Sequence, residues 1–155
     1  MLTNEMLKVG AKAPLFALTD QNGRMVDIAD LIGKKALVVY FYPKDFTAGC
    51  TMEAHEFREM HEEFQRNGAE VIGVSSDDVA THKRFADEHR LPFILLSDPD
   101  DRVREMYGAW GTGRTPGRVT FLIDKQGIVR MVFSSQIQPR KHISQALKAL
   151  EGMNA

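Results

Sequence analysis

The sequence predicts an α/β fold: a central mixed β-sheet flanked by helices on both faces. Three observations lead there. Apolar runs of strand length, at 36–42, 71–75, 93–96 and 119–124, alternate with amphipathic or polar stretches of helix length. The last strand-like runs, 119–124 and 128–133, are joined only by Lys125-Gln-Gly127, which makes them a hairpin and the sheet mixed. A chain of 155 residues with 43% apolar side chains can bury a core without staples, so one domain over 1–155 is expected.

The elements follow in order. Residues 1–35 are rich in loops, and Asp20-Gln-Asn-Gly23 is a turn signal that closes a short hairpin. Ala36-Leu-Val-Val-Tyr-Phe-Tyr42 has no polar alternation and reads as a strand buried on both faces. A polar turn follows Pro43. A helical pattern then runs from about Gly49 to Arg66, with Ala54, Phe57, Phe64 and either Met60 or His61 near one face. Val71–Ser75 is a second buried strand. Asp77 or Asp78 caps a helix over about 79–89. Phe93–Leu96 is a third strand, and Ser97-Asp-Pro-Asp100 opens a short helix that ends near Gly108. A glycine-rich loop spans 108–117 and leads to the hairpin. A final helix, about 139–151, carries Ile143, Ala146, Leu147 and Leu150 on one stripe. Crossovers between parallel strands should be right-handed.

Composition excludes several classes of function. With 20 basic and 21 acidic side chains the net charge is -1, which gives no footprint for nucleic acid or an anionic membrane. The longest apolar run, 36–42, is far short of a membrane span. Residues 1–8 hold no continuous apolar segment of the secretory kind. One cysteine rules out an intrachain disulfide framework, so a reducing, cytoplasmic setting is expected.

That cysteine, Cys50, is the chemically distinctive residue. It falls where the first long strand hands over to a helix, a place with unpaired backbone N–H groups and a dipole that favours anions. A lone cysteine is also a common buried hydrophobe, so the two readings stand side by side. Ionisation alone explains little: an ordinary thiol is about 3% thiolate at pH 7, so complete ionisation gains at most about thirtyfold. Fast thiol chemistry needs further groups that stabilise the transition state: a hydroxyl, backbone N–H groups and a fixed cation. Thr47, three residues before the sulfur, is a candidate hydroxyl or simply a turn residue. Arg114 and Arg118 are candidate cations, or solvated surface residues.

The spacing Pro43-x-x-x-Thr47-x-x-Cys50 resembles the peroxiredoxin signature. The longer segment Phe41-Tyr-Pro-Lys-Asp-Phe-Thr-Ala-Gly-Cys-Thr-Met-Glu-Ala54 resembles the bacterioferritin-comigratory-protein (PrxQ-like) subfamily. So do Gly10-Ala-Lys-Ala-Pro14, Gly73-Val-Ser-Ser-Asp77, Leu91-Pro-Phe-Ile-Leu-Leu-Ser-Asp98 and Arg118-Val-Thr-Phe-Leu-Ile-Asp124. The resemblance implies a thioredoxin-like fold and reduction of hydrogen peroxide or organic hydroperoxides. It makes Cys50 the peroxidatic cysteine and Arg118 the cation. It has Thr47 hydrogen-bond the thiolate and peroxide, and Pro43 shield the pocket. Glu53 matches an acidic residue that orients the arginine, or else it is an acidic first-turn residue favoured by the dipole. No metal or organic cofactor is required. Many members of the subfamily carry a second cysteine five residues after the first. Here that position is His55, so resolution falls to an external thiol: thioredoxin, glutathione with glutaredoxin, or a small thiol. A monomer or weak homodimer is expected. The alternatives are a peroxide sensor that switches partner binding and turns over poorly, and a noncatalytic module with an inert thiol.

Other constellations fail on geometry. His55 and His61 are six apart on one helix and face differently, and His82 and His89 are about 10 Å apart along theirs, too far for one zinc ion. Asp98-Pro-Asp-Asp101 lacks the glycine and distal glutamate of a calcium loop. Gly111, Gly113 and Gly117 miss the dinucleotide spacing and precede a strand. Tyr107 and Trp110 are read as packing residues, with pocket lining as the other possibility.

Overall fold

A computed structural model describes residues 5–154. Its strands are β1 (Ala17–Asp20), β2 (Met25–Asp27), β3 (Ala36–Phe41), β4 (Ala69–Ser75), β5 (Ile94–Ser97), β6 (Val119–Ile123) and β7 (Val129–Ser134). The α-helices are α1 (Ala48–Glu59), α2 (His61–Arg66), α3 (Val79–His89), α4 (Arg102–Tyr107) and α5 (Pro139–Met153). The strands form one sheet in the order β2-β1-β5-β4-β3-β6-β7. β3, β4 and β5 run parallel to one another, and the other pairings are antiparallel. The sheet is therefore mixed, and the 119–133 segment is the hairpin its short connection predicts.

β3 lies between β4 and β6, and all six of its residues are buried. Period-two alternation sends its side chains into two cores. Val38 and Tyr40 join one with Phe57 of α1, Phe64 of α2, Phe85 of α3 and Ile143 and Leu150 of α5. Leu37, Val39 and Phe41 join the other with Val103 and Tyr107 of α4 and with Ala13, Phe16 and Ile28. Helices thus cover both faces, but four of them share one face. On the other, α4 is helped by the N-terminal segment.

One local expectation changes and one alternative is resolved. The continuous helix over 49–66 is two helices meeting at Met60, whose backbone at φ -99°, ψ 7° leaves the helical range. Neither glycine nor proline marks that break, so residue pattern alone does not show it. Of the two cap candidates, Asp78 caps α3: its Oδ1 accepts from Thr81 N–H at 2.8 Å. Tyr107 is core, with its hydroxyl donating to Pro14 O at 2.7 Å.

Candidate active site

The site lies where β3 ends and α1 begins. Thr47 is the N-cap residue of α1 and Cys50 the third residue of the helix. The first intrahelical bond closes from Thr51 N–H to Thr47 O at 2.9 Å. The N–H groups of Ala48, Gly49 and Cys50 precede it and have no helical acceptor. The Thr47 side chain does not cap them. Cys50, in this turn, is only 2% exposed.

Strand register supplies the cation. β6 runs antiparallel to β3 with Val119 opposite Phe41, so Arg118 falls beside the segment that leaves β3. Its Nη1 is 3.6 Å from Cys50 Sγ and donates to Glu53 Oε1 at 2.7 Å. Its own N–H donates to Gln136 Oε1 at 2.8 Å. Gly49 makes this approach possible, since a Cβ there would lie 2.9 Å from Arg118 Nη2. Arg114, the other candidate, is exposed, paired with Glu105 and stacked on Trp110 with 4.5 Å to the ring centroid.

Glu53 is one turn after Cys50 and fully buried. Burial pushes its carboxyl up to about 8, with Arg118 pulling the other way. Its second oxygen, Oε2, has no hydrogen-bond partner among the described residues, and His142 Nδ1 is 3.8 Å away. His142 is pushed down to about 4 by burial. It is a neutral imidazole at pH 7, with Nε2 donating to Ser135 O and Nδ1 accepting from Thr120. A carboxyl biased toward its neutral form does not cancel the guanidinium charge. Unit charges at about 4 Å attract by ~4 kcal/mol at an effective dielectric of 20, so the arginine is a strong attractor for a thiolate.

Thr47 and Pro43 belong to the loop that leads into α1. The Thr47 hydroxyl donates to Lys44 O at 2.8 Å, so in this state its proton is not directed to the sulfur. Pro43 is half-buried at the start of the loop. Between them Phe46 takes a left-handed φ of 64°, uncommon for an aromatic residue, and its ring leans on Phe85 and His89 of α3. Beside it, Asp45 is buried and anchored. Its carboxylate accepts from Tyr42 Oη at 2.5 Å and pairs with His82 Nδ1 at 2.5 Å, and its N–H donates to Asp77 Oδ2 at 2.8 Å. Asp45, Asp77 and His82 offer metal-ligating atoms within 4.8 Å of one another, but these hydrogen bonds already engage them. Arg104, fully buried, donates from Nη2 to Tyr42 O at 2.7 Å and from Nη1 to Ala109 O and Gly117 O. Nothing local in the sequence distinguishes Asp45, His82 or Arg104, because their partners come from distant elements.

This geometry meets a matching set of relatives. The AhpC/TSA family profile matches residues 9–132. The chain belongs to that family. It is 47% identical over 146 residues to the chloroplastic peroxiredoxin Q of Oryza sativa subsp. japonica, covering 93% of this chain and 67% of the rice protein. Among solved structures, the peroxidoxin BcpB of Mycobacterium tuberculosis superposes with a TM-score of 0.89 at 33% identity, over 96% of this chain and 99% of that one. The Xanthomonas campestris bacterioferritin comigratory protein, whose structural description concerns alkyl peroxide reduction, gives 0.84 at 28% identity over 98% and 100%. The fold is thioredoxin-like, and the chain is a one-cysteine peroxiredoxin, a thiol-dependent peroxidase.

The same comparison corrects the expected compartment. The rice, poplar and Arabidopsis relatives are chloroplastic, so the cytoplasmic assignment does not stand. It rested on one free cysteine and on residues 1–8. Those features speak of reducing conditions and of the secretory route, and they do not single out the cytosol. Residues 1–4 also lie outside the described part of the chain.

Proposed function

We propose that this peroxidase works through Cys50 alone and is restored by a thiol from outside the chain. The observation that carries this reading is Cys50 Sγ in the open first turn of α1, 3.6 Å from Arg118 Nη1. The Cys50 thiolate attacks the terminal oxygen of R–O–O–H. The S–O bond forms as the O–O bond breaks, sulfur is oxidised by two electrons, and the alkoxide or hydroxide leaves to take up a proton. Cys50 is left as a sulfenic acid. Arg118 and the free N–H groups of the first turn attract the charge that develops on the oxygens. Glu53 positions Arg118. Pro43 and Thr47 wall the approach, with Thr47 able to turn its hydroxyl from Lys44 O to a bound oxygen.

An external thiol then attacks the sulfenic sulfur, releasing water and forming a mixed disulfide. A second thiol displaces Cys50 and carries away the new disulfide. The first of these attacks needs access to the sulfur of a residue that is 2% exposed, so the first turn of α1 opens between oxidation and reduction. The alkyl peroxide chemistry described for the Xanthomonas relative supports organic hydroperoxides beside hydrogen peroxide as substrates. The working unit is the single domain 1–155, as a monomer or weak homodimer.

The test is steady-state peroxide consumption by the purified protein with thioredoxin, glutathione plus glutaredoxin, or a small dithiol as reductant. Many turnovers per chain with one of them supports the proposal. A single stoichiometric oxidation with every reductant replaces it with the sensor reading, which the missing second cysteine favours.

A further inference from the structure

The helix pairs that fail as metal sites in the sequence hide a pair that spans two helices. His55 of α1 and His89, the last residue of α3, face each other with Nε2 and Nδ1 2.8 Å apart and ring centroids 4.9 Å apart. A hydrogen bond between two imidazole nitrogens requires one of them to accept through a lone pair. At least one ring therefore already aims an unprotonated nitrogen at its neighbour. Neither ring is sealed in the core: the His89 side chain is 19% exposed. His55 also lines an open hollow of about 410 Å³, with Ala48, Thr51, Met52, Glu59 and Arg140, so its ring can be reached from solvent.

We propose that His55 and His89 form a two-histidine site for a divalent transition metal of the Zn²⁺ type, bridging α1 to α3. Zn–N bonds of about 2.0–2.1 Å at a tetrahedral angle set two nitrogens roughly 3.3 Å apart, so the pair opens by about half an ångström to admit the ion. Imidazole nitrogens suit zinc, copper and nickel, whereas a hard cation such as Mg²⁺ prefers oxygen. Water from the hollow fills the remaining positions. Arg58 moderates the affinity, because its Nη1 donates to His89 O at 2.7 Å and brings a positive charge to the site. The carboxylate of Glu88, 3.6 Å from His89 Nε2, acts in the other direction.

The ion would sit at a mechanically sensitive place. The His89 ring packs against Phe85 at 4.9 Å and against Phe46 at 6.2 Å, and Phe46 is the left-handed residue of the active-site loop. A bridge there ties the second turn of α1, and the loop ahead of it, to α3. It restrains the part of the chain that covers the Cys50 sulfur. Metal binding itself does not depend on the peroxidase reading.

The experiment uses the full chain carrying Cys50→Ser, which removes the competing thiolate. Zn²⁺ is titrated by calorimetry into this protein and into the same background with His55→Gln or His89→Asn. Both amides keep hydrogen-bonding reach but are poor zinc ligands. The expected result is one Zn²⁺ per chain, affinity at least tenfold weaker in each variant, no heat with Mg²⁺, and slower amide exchange over 48–59 with zinc in the parent alone. Melting curves without zinc verify that the variants fold, and one folded variant suffices. No zinc binding, equal affinity in the variants, or binding without protection of α1 overturns the proposal.

Discussion

α1 and α3 each follow a strand of the same parallel pair, β3 and β4, yet their N-termini are finished differently. Both N-cap residues have the extended backbone that a cap requires: Asp78 at φ -77°, ψ 169° and Thr47 at φ -89°, ψ 155°. Asp78 turns its carboxylate onto Thr81 N–H at 2.8 Å. Thr47 turns its hydroxyl away, to Lys44 O. Asp45, the nearby carboxylate, is engaged by Tyr42 and His82. The start of α3 is thus closed by its own chain, and the start of α1 is left for an anion from elsewhere. A side-chain cap is worth about 1 kcal/mol. At α1 that stabilisation is forgone in the resting protein and remains available to a thiolate and an incoming oxygen.

The strongest way to break this contrast is to remove the anion. Cys50→Ser should abolish peroxide consumption while α1 keeps its amide-exchange protection. Retained turnover would refute the assignment of the open helix start to catalysis. Next comes the cation. Arg118→Ala should raise the barrier by about 2–4 kcal/mol, as loss of other oxyanion-type donors does, read as the second-order rate with peroxide. A loss of less than a few-fold would place Arg118 outside the chemistry despite its 3.6 Å contact. Gly49→Ala sharpens the point, because its Cβ would press on Arg118 Nη2 at 2.9 Å without touching the sulfur's chemistry. A displacement of a few tenths of an ångström should cost about tenfold in the same rate. The Asp78 end of α3 has no comparable sensitivity to test.

The two helix starts were unequally legible in the sequence. Asp78 was one of two adjacent cap candidates, and only the observed bond to Thr81 separates it from Asp77. Strand positions and the final hairpin were legible because unbroken apolar runs and a three-residue connection leave few other readings. Pro43, Thr47 and Cys50 were legible because they are local. Arg118 was one of two candidate cations, and family resemblance alone chose it over Arg114, since its contact with Cys50 depends on β6 pairing with β3 at Phe41–Val119. The Asp45–His82, Glu53–His142 and His55–His89 pairs were invisible for the same reason. Tertiary packing of distant segments makes each of them, and no spacing along the chain encodes it.

Below the surface the contrast extends to proton binding. The Glu53 carboxyl beneath α1 is raised to about 8 in the folded protein, against 4.5 when exposed. The folded state therefore holds the proton more tightly. The stability this contributes is complete below about pH 4.5 and is lost as pH rises toward 8. His142 runs the other way: its pKa is depressed from 6.5 to about 4, so its contribution is present above 6.5 and is lost as pH falls through 4. Of this buried pair only Glu53 titrates between about 6.5 and 8. Glu53→Gln should flatten the fall in melting temperature across that window. An unchanged slope would show that Glu53 is already ionised beside Arg118, leaving less positive charge for the sulfur.

The smallest expected effect tests the other helix. Asp78→Ala removes one exposed cap and should cost about 1 kcal/mol, a drop of roughly 2–4 °C in melting temperature for a chain of this size. The peroxide rate should not change, because the Asp78 carboxylate serves the start of α3 through its bond from Thr81 N–H. A loss of rate larger than the loss of stability explains would mean that α3 transmits strain to the active-site loop through Phe85, His89 and Phe46. The difference between the two helix starts would then be one of degree. An unchanged rate with lowered stability keeps them distinct: at α3 the cap supports the fold alone, and at α1 its absence supports the chemistry.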